Sequence, residues 1–141
     1  MKNFIVLCLT LASLMVLTPF ESNAQVKKDD DKLAVLWTSD DPYVADRVAL
    51  MYTHAAARNH LFKEVTLIIW GPSAKLVAEN KKIQKKLMQM KKDGVKIRAC
   101  IACATAYDVV DDLKQLNFEV APMAIPLTDY LKDDQTKVLT F

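Results

Sequence analysis

Apolar residues in this chain are grouped in two ways, as short unbroken runs and as residues that recur every three or four positions. The run at 33–37 is unbroken and the run at 65–70 is nearly so, which predicts strands that are buried on both faces. Three further strands are predicted over 95–100, 118–121 and 137–141. Because helical stretches alternate with these strands, we expect an α/β three-layer sandwich with a mostly parallel sheet of about five strands.

The helical stretches are bounded by residues that typically begin or end helices. Asp41 and Pro42 predict the start of a first helix that ends near Asn59, because an aspartate cap followed by proline suits a helix N-terminus. Its apolar positions at helical spacing are Val44, Val48, Met51 and Ala55. Further helices are predicted over 73–79 with Ser73 as the cap, over 81–92 with Gly94 just beyond the end, and over 104–115. A loop at 122–126 and a short turn at 128–131 are predicted before the last strand.

The first two dozen residues have the pattern of a secretory signal peptide. Lys2 precedes an apolar stretch at 4–17, and small residues at 22 and 24 predict cleavage after Ala24. The apolar stretch is short for a bilayer span, so an uncleaved anchor is the weaker alternative. The predicted organisation is therefore a signal peptide (1–24), a flexible leader (25–31) and one α/β domain (32–141). Such a chain is periplasmic or secreted and keeps no stable membrane anchor after cleavage.

Composition agrees with one globular domain, and removal of the predicted signal peptide changes the cysteine count. The 141 residues are 52% apolar and 26% charged, with a net charge of +2, which gives no reason to expect a nucleic-acid partner. Three cysteines would be an awkward number in a secreted protein. Removal of 1–24 also removes Cys8, and leaves 117 residues whose only cysteines are Cys100 and Cys103. A domain of this size forms a core without disulfides, so the pair is not needed for the fold.

Cys100 and Cys103 form a CxxC motif where a predicted strand ends and a helix begins. Ligands bind beyond the carboxyl ends of parallel strands, which directs attention to four segments: 38–40, 71–73, 100–103 and 123–126. A helix N-terminus stabilises a thiolate, the reactive form of cysteine, and Arg98 on the same strand face could add positive potential. Cys100 and Cys103 are therefore the candidate catalytic pair. The alternative is that both cysteines only pack, as small apolar side chains do.

Other chemistries are less well supported. The first strand-to-helix loop, TSDDPY, has no glycine and two aspartates, which argues against FMN, NAD or ATP, and no cofactor is predicted. A zinc site would need His54 and His60, whose six-residue spacing on a helix does not place them on one face, so no metal is predicted. The lysines at 81, 82, 85, 86, 91 and 92 are expected to form a solvated face, and a docking surface for an acidic partner is the weaker alternative. No aromatic residues are interleaved with them to stack on bases. Trp37 and Trp70 either line the cysteine crevice or close the core.

Three segments resemble a known family. WGPSAKLVAEN at 70–80, ACIACATAYDVVDDL at 99–113, and PLTDYL at 126–131 with KVLTF at 137–141 are similar to the DsrE/DsrF-like family, and the resemblance covers 33–141. It implies a DsrEFH-like sandwich with flavodoxin-like topology, assembled as homotrimers or hexamers. Sulfur-relay members of the DsrE and TusD type carry a persulfide on a cysteine that matches Cys100.

The chain departs from these relatives in three ways. Cys103 matches an alanine of the relay proteins but a second cysteine in a CxxC subgroup. Asp108 stands where that subgroup tends to have glycine. The known relays work in the cytoplasm, whereas export is predicted here, so a role in tRNA thiolation is not expected.

The leading hypothesis is an exported persulfide carrier, or sulfurtransferase-like protein, that uses Cys100 with Cys103 as the resolving thiol. Its partner would be a sulfur donor or a thiol or disulfide protein. One alternative is a dithiol-disulfide or peroxide-reducing oxidoreductase. Another, from a different class, is a non-catalytic oligomeric binding module. A thioredoxin fold is disfavoured, because the CxxC motif follows three predicted strands.

Overall fold

The computed structural model describes residues 31–141; the predicted signal peptide (1–24) and all but the last residue of the predicted leader (25–31) lie outside them. The strands are β1 (Lys32–Trp37), β2 (Glu64–Ile69), β3 (Lys96–Cys100), β4 (Glu119–Ala121) and β5 (Thr136–Thr140). They form one sheet in the order β4-β3-β2-β1-β5, and all neighbouring pairs are parallel. The predicted α/β sandwich is confirmed, and its sheet is parallel throughout.

Seven helices and one π-helical segment connect the strands. They are α1 (Pro42–Val44), the π segment (Ala45–Ala49), α2 (Leu50–Arg58), α3 (Ser73–Glu79), α4 (Lys81–Lys92), α5 (Ile101–Ala106), α6 (Val110–Gln115) and α7 (Ala124–Lys132). No helix among residues 31–141 is long and apolar enough to cross a membrane.

The order of the strands explains why the two faces of the sheet are covered unequally. From β1 to β4 each connection steps to the next strand in the same direction, so right-handed crossovers place α1 to α6 on one face. The connection from β4 to β5 returns across the whole sheet, which places α7 on the opposite face. The helices of residues 31–141 therefore cover both faces, but one face has only α7 among them.

The main hydrophobic core lies on the face that carries α1 to α6. Each central strand contributes alternate residues, such as Leu67 and Ile69 of β2, which are fully buried. From the helices, Leu87 of α4 and Leu113 of α6 are also fully buried in this cluster. Burial of each such side chain contributes roughly 1.5–3 kcal/mol.

The buried face of the first helix differs from the predicted one. Val48 and Met51, which were predicted to be buried, are 41% and 55% exposed, while Ala49 and Leu50 are fully buried. The π segment between α1 and α2 explains the error, because each π turn holds one more residue than an α turn and rotates the residues that follow.

Three predicted elements after β3 were also wrong. The helix predicted over 104–115 is split into α5 and α6, and Asp108 between them has a left-handed φ of 55°. Aspartate tolerates that conformation better than most residues, and glycine suits it best. The predicted loop at 122–126 and turn at 128–131 are α7. Pro126 is its third residue, where the missing N–H would have no partner within the helix.

Helix caps were predicted with mixed success. Asp41 caps α1, with its Oδ1 2.7 Å from the Tyr43 nitrogen, as predicted. Gly94 follows α4 with a φ of 97°, as predicted. Ser73 is not a cap but the first residue of α3, and its hydroxyl donates to the Trp37 carbonyl oxygen at 2.7 Å. This bond joins the carboxyl end of β1 to α3.

Candidate functional site

The two cysteines lie at the carboxyl end of β3, where the chain enters α5. Cys100 is the N-cap residue of α5, and Cys103 is the third residue of the helix. In the first turn of a helix the third side chain reaches back toward the N-cap residue. Cys103 accordingly packs beside Cys100, and both thiols are free. The CxxC spacing at this junction thus places the two sulfur atoms side by side.

Cys100 is covered by the helix on the sparsely covered face of the sheet. Its side chain is 4% exposed and clusters with Ile68 of β2 and Met123, which immediately precedes α7. Five partly buried side chains pack around this cluster: Leu36, Trp70, Cys103, Leu127 and Tyr130. Leu127 and Tyr130 belong to α7, so this helix lies between Cys100 and solvent.

Cys103 is the more accessible thiol, and its environment disfavours the thiolate. Burial raises the pKa of the Cys103 thiol, and the neighbouring Cys100 thiol raises it further, while a hydrogen bond from the Gly71 backbone partly opposes both effects. Gly71 directly follows β2 and has a φ of 64°. The loop at 71–73 thus contributes to the site, as the strand-end rule predicted.

Arg98 does not direct free positive charge toward the thiols. Its Nε lies 3.0 Å from Glu119 Oε2, a second guanidinium nitrogen contacts the other carboxylate oxygen, and Nη1 lies 3.4 Å from the Tyr130 hydroxyl. The pairing with Glu119 raises the pKa of Arg98. The suggestion that Arg98 activates the thiols electrostatically is therefore not supported, since a bidentate carboxylate neutralises the guanidinium.

The two tryptophans, whose roles the sequence left open, lie in different places. Trp37 is fully buried in the core under α1 to α6, and Trp70 packs on the Cys100 cluster. Trp37 Nε1 is the one buried side-chain nitrogen or oxygen of residues 31–141 that has no hydrogen-bond partner. Trp70 therefore belongs to the thiol site and Trp37 to the core.

The loop at 38–40, unlike the other strand-end segments, is hydrogen-bonded to Phe141 just after the last strand. Both the hydroxyl and the backbone N–H of Thr38 donate to the Phe141 carbonyl oxygen, at 2.9 Å and 2.7 Å. These bonds join the ends of β1 and β5, where the direction of the strand order reverses. Ligands of open parallel sheets often bind at such a reversal, yet the thiols lie two strands away at the end of β3.

A cavity of about 510 Å³ on the α7 side has no thiol in its lining. Tyr130 and the paired Arg98 and Glu119 line one part, and Lys96 forms an ion pair with Glu64 in another. The four charged groups of these two ion pairs already have partners within the fold, so none of them is free to bind a ligand.

The histidines take no part in the thiol site. His54 Nε2 lies 2.6 Å from Asp93 Oδ2, which joins α2 to the end of α4. His60 lies beyond the end of α2 in a left-handed conformation with a φ of 50°, so it is not on the helix as expected. Residues 31–141 contain no group of three or more His, Cys, Asp or Glu side chains that could hold a metal ion.

The fold and the site define an all-parallel α/β protein with a free dithiol at the end of β3. Residues 31–141 match the model of the DsrE/DsrF-like family, and the chain belongs to this family. The resemblance found in the sequence is thereby confirmed.

Two solved structures are similar to this one. A conserved protein of unknown function from Bacteroides thetaiotaomicron, BT1422, is 34% identical, with a TM-score of 0.74, over 79% of this chain and 95% of its own. The YchN protein from E. coli is 15% identical, with a TM-score of 0.60, over 80% of this chain and 100% of its own. YchN thus supports the fold alone. No curated protein matches the chain.

Sequence reasoning found both thiols but missed what surrounds them. Glu119 and Tyr130 were not recognised as partners of Arg98, and Leu127 was not recognised as a cover for Cys100. The register of β3 and β4 places Arg98 beside Glu119, and that register is not readable from the chain alone. The apolar residues of PLTDYL were a usable signal for α7, but Pro122 and Pro126 favoured a loop.

Proposed function

We propose that this protein carries sulfane sulfur as a persulfide on Cys100, with Cys103 as the resolving thiol. The observation that supports this most is the pair of free, neighbouring thiols at the end of β3. Membership of the DsrE/DsrF-like family supports the same chemistry.

The proposed reaction has two balanced steps. In the first, the Cys100 thiolate attacks the outer sulfur of a donor persulfide, so that a Cys100 persulfide forms and the donor leaves as a thiolate. In the second, Cys103 loses its proton and attacks the inner sulfur of this persulfide. A Cys100–Cys103 disulfide forms and hydrosulfide leaves. When an acceptor thiol attacks the outer sulfur in place of Cys103, the sulfur is passed on and Cys100 is regenerated.

The environment of Cys103 suits a carrier. Because its pKa is raised, Cys103 stays protonated near neutral pH and attacks slowly, which prolongs the life of the persulfide. The rate of hydrosulfide release should therefore rise with pH up to a pKa above the ordinary thiol value. Measurement of hydrosulfide from persulfidated protein across a pH series tests this, and a rate that is independent of pH would contradict it.

Access to Cys100 requires movement of α7. Cys100 is 4% exposed and lies under Leu127 and Tyr130, so a donor reaches it only when this helix shifts. No residue of α7 is itself fully buried, which makes such a shift inexpensive.

Intact mass after treatment with a low-molecular-weight persulfide tests the proposal. The reduced Cys103→Ser protein should gain about 32 Da, one sulfur atom, because its persulfide has no resolving thiol. The Cys100→Ser protein is the matched control and should gain nothing. An adduct on Cys100→Ser, or none on Cys103→Ser, would overturn the assignment. If neither wild type nor Cys103→Ser gains sulfur or forms a disulfide, the two cysteines only pack, as in a non-catalytic binding module.

A second candidate is a dithiol-disulfide or peroxide-reducing oxidoreductase, which the proximity of the two free thiols also favours. The oxidoreductase differs from the persulfide carrier because it transfers no sulfur atom. A disulfide substrate is reduced to two thiols while Cys100 and Cys103 form a disulfide. Turnover of a disulfide or peroxide without hydrosulfide release would support this candidate over the carrier.

The proposal includes export and self-association. Cell fractionation with N-terminal sequencing tests export, and a mature protein in the periplasm or medium that begins at Gln25 is the expected result. Ile125 and Leu131 of α7 are 74% and 65% exposed, and such apolar side chains suit a contact between copies. Sedimentation should show a trimer or hexamer, and a monomer at all concentrations would contradict this part.

A further inference from the structure

A groove rich in basic residues lies between the first helix and α4. Three adjoining cavities of about 240, 440 and 350 Å³ form it, and neighbouring cavities share Lys82 or both His54 and Lys86. Six cationic side chains line this basic groove: Arg47, Arg58, Lys82, Lys85, Lys86 and Lys92. Asp46 is the one carboxylate among the residues that line these three cavities, and a second, Asp93, adjoins them through its bonds to the lining residues His54 and Gln89.

The positive charge is concentrated here and does not reflect the average composition. Residues 31–141 contain 16 Lys and Arg against 14 Asp and Glu, so outside the basic groove ten cations face thirteen carboxylates. The groove is therefore strongly positive on a molecule whose remaining surface is slightly negative. Such a separation creates a local potential that attracts anionic groups.

Only part of this charge is used within the fold. Lys86 and Lys82 hold Asp46 at 2.7 Å and 3.1 Å, while Arg47 approaches the same carboxylate only to 3.9 Å. Lys85 and Lys92 are exposed and have no ion-pair partner among residues 31–141. These lysines are free to meet charges from outside.

We propose that the basic groove is a docking site for an acidic, extended segment of a partner protein. Its length follows α4, whose 12 residues span about 18 Å, the length of five or six extended residues. The carboxylates of such a segment complement the six cations. The partly exposed Met51 adds an apolar contact within the groove.

The shape and lining favour this occupant over two other polyanions. Tyr43, at one end, is the one aromatic residue that lines the three cavities, so bases of a single-stranded nucleic acid would lack stacking partners. A lipid bilayer presents a flat surface, and its headgroups would not fill a groove between two helices. An extended acidic peptide satisfies both the charge and the shape.

The test is fluorescence anisotropy with a fluorescein-labelled peptide of about six glutamates at low salt. The full chain after removal of 1–24 should bind the peptide in a saturable way, and added salt should weaken binding. The double variant Lys85→Glu and Lys92→Glu should weaken it at least about tenfold. Lys114→Glu with Lys132→Glu makes the same change in net charge on α6 and α7, and should alter binding less than about twofold.

An equal loss in both double variants would overturn the proposal, because it would show a response to net charge alone. Binding of phosphatidylglycerol vesicles or of a single-stranded oligonucleotide, without binding of the peptide, would also overturn it. The measurement involves neither thiol, so its outcome is separate from that of the persulfide experiments.

Discussion

The two faces of the sheet are covered very differently, although the same strands supply both. On the face of α1 to α6, twenty-two buried residues form one cluster. On the face of α7, the cluster that contains Cys100 has three, and no residue of α7 is fully buried. Stability therefore depends mainly on the first face, while the candidate chemistry lies on the second. A thinly covered face can open locally at a small cost in free energy.

The largest expected effect is on the free energy of unfolding, and it is tested by replacing one leucine from each face. Leu87→Ala removes a fully buried side chain from the main core and should lower the free energy of unfolding by about 2–5 kcal/mol. Leu127→Ala on α7 removes a half-buried side chain and should lower it by about 1 kcal/mol. Urea denaturation of both variants measures the difference. Equal losses would show that α7 is as firmly packed as α4, and the comparison would fail.

The next effect concerns access to Cys100. Tyr130→Ala removes a ring that packs on the Cys100 cluster, and should speed alkylation of Cys100 about tenfold in a Cys103→Ser background. Mass spectrometry after timed exposure to iodoacetamide measures the rate. Leu116→Ala is a suitable control, because this half-buried leucine packs on the opposite face. If the control accelerates alkylation equally, access depends on global stability and not on α7.

A smaller effect is expected from loss of the ion pairs of Asp46, which lie on the well-covered face. Lys86 and Lys82 lower the pKa of Asp46 to about 2 from an ordinary 3.8. The lowered pKa means that this carboxylate stabilises the fold above about pH 4 and that the contribution is lost as the pH falls toward 2. Asp46→Asn should cost about 1 kcal/mol at neutral pH after solvent screening.

Urea denaturation of wild type and Asp46→Asn at a series of pH values checks this link. The difference between the two proteins should shrink as the pH falls toward 2. A difference that stays constant would mean that the ion pairs are not its source.

The smallest effect comes from the corresponding polar link on the α7 face. Tyr130→Phe removes the hydroxyl that lies 3.4 Å from Arg98, a long bond, and should change the free energy of unfolding by less than about 0.5 kcal/mol. Because the ring remains, the alkylation rate of Cys100 should stay within about twofold of wild type. A rate as high as that of Tyr130→Ala would show that the hydroxyl, and not the ring, holds α7 in place.

Most strands and several caps could be predicted from the sequence, because their signals are local. The run at 33–37 is long and apolar enough to be a buried strand in any arrangement, and β1 covers it. Asp41 and Gly94 act through their own backbone geometry, so their roles did not depend on the rest of the fold. The CxxC motif was placed correctly at the end of the third strand, but the helix that follows begins at Ile101, three residues earlier than the predicted 104–115.

The errors arose where distant segments decide the outcome. The π segment rotated the buried face of the first helix, so that Leu50 is buried in place of Met51. The partner of Arg98 depends on the register of β3 with β4, twenty-one residues further along the chain. Local propensity carries no information on either feature.

By itself the sequence determined an α/β protein of the DsrE/DsrF-like family with two thiols at the end of its third strand, because strand runs, caps and the CxxC spacing are encoded by neighbouring residues. Only the tertiary structure decided that α7 covers Cys100, that Glu119 neutralises Arg98, and that basic residues of two helices line one groove. These features depend on the crossover from β4 back to β5 and on the packing of elements far apart in the chain.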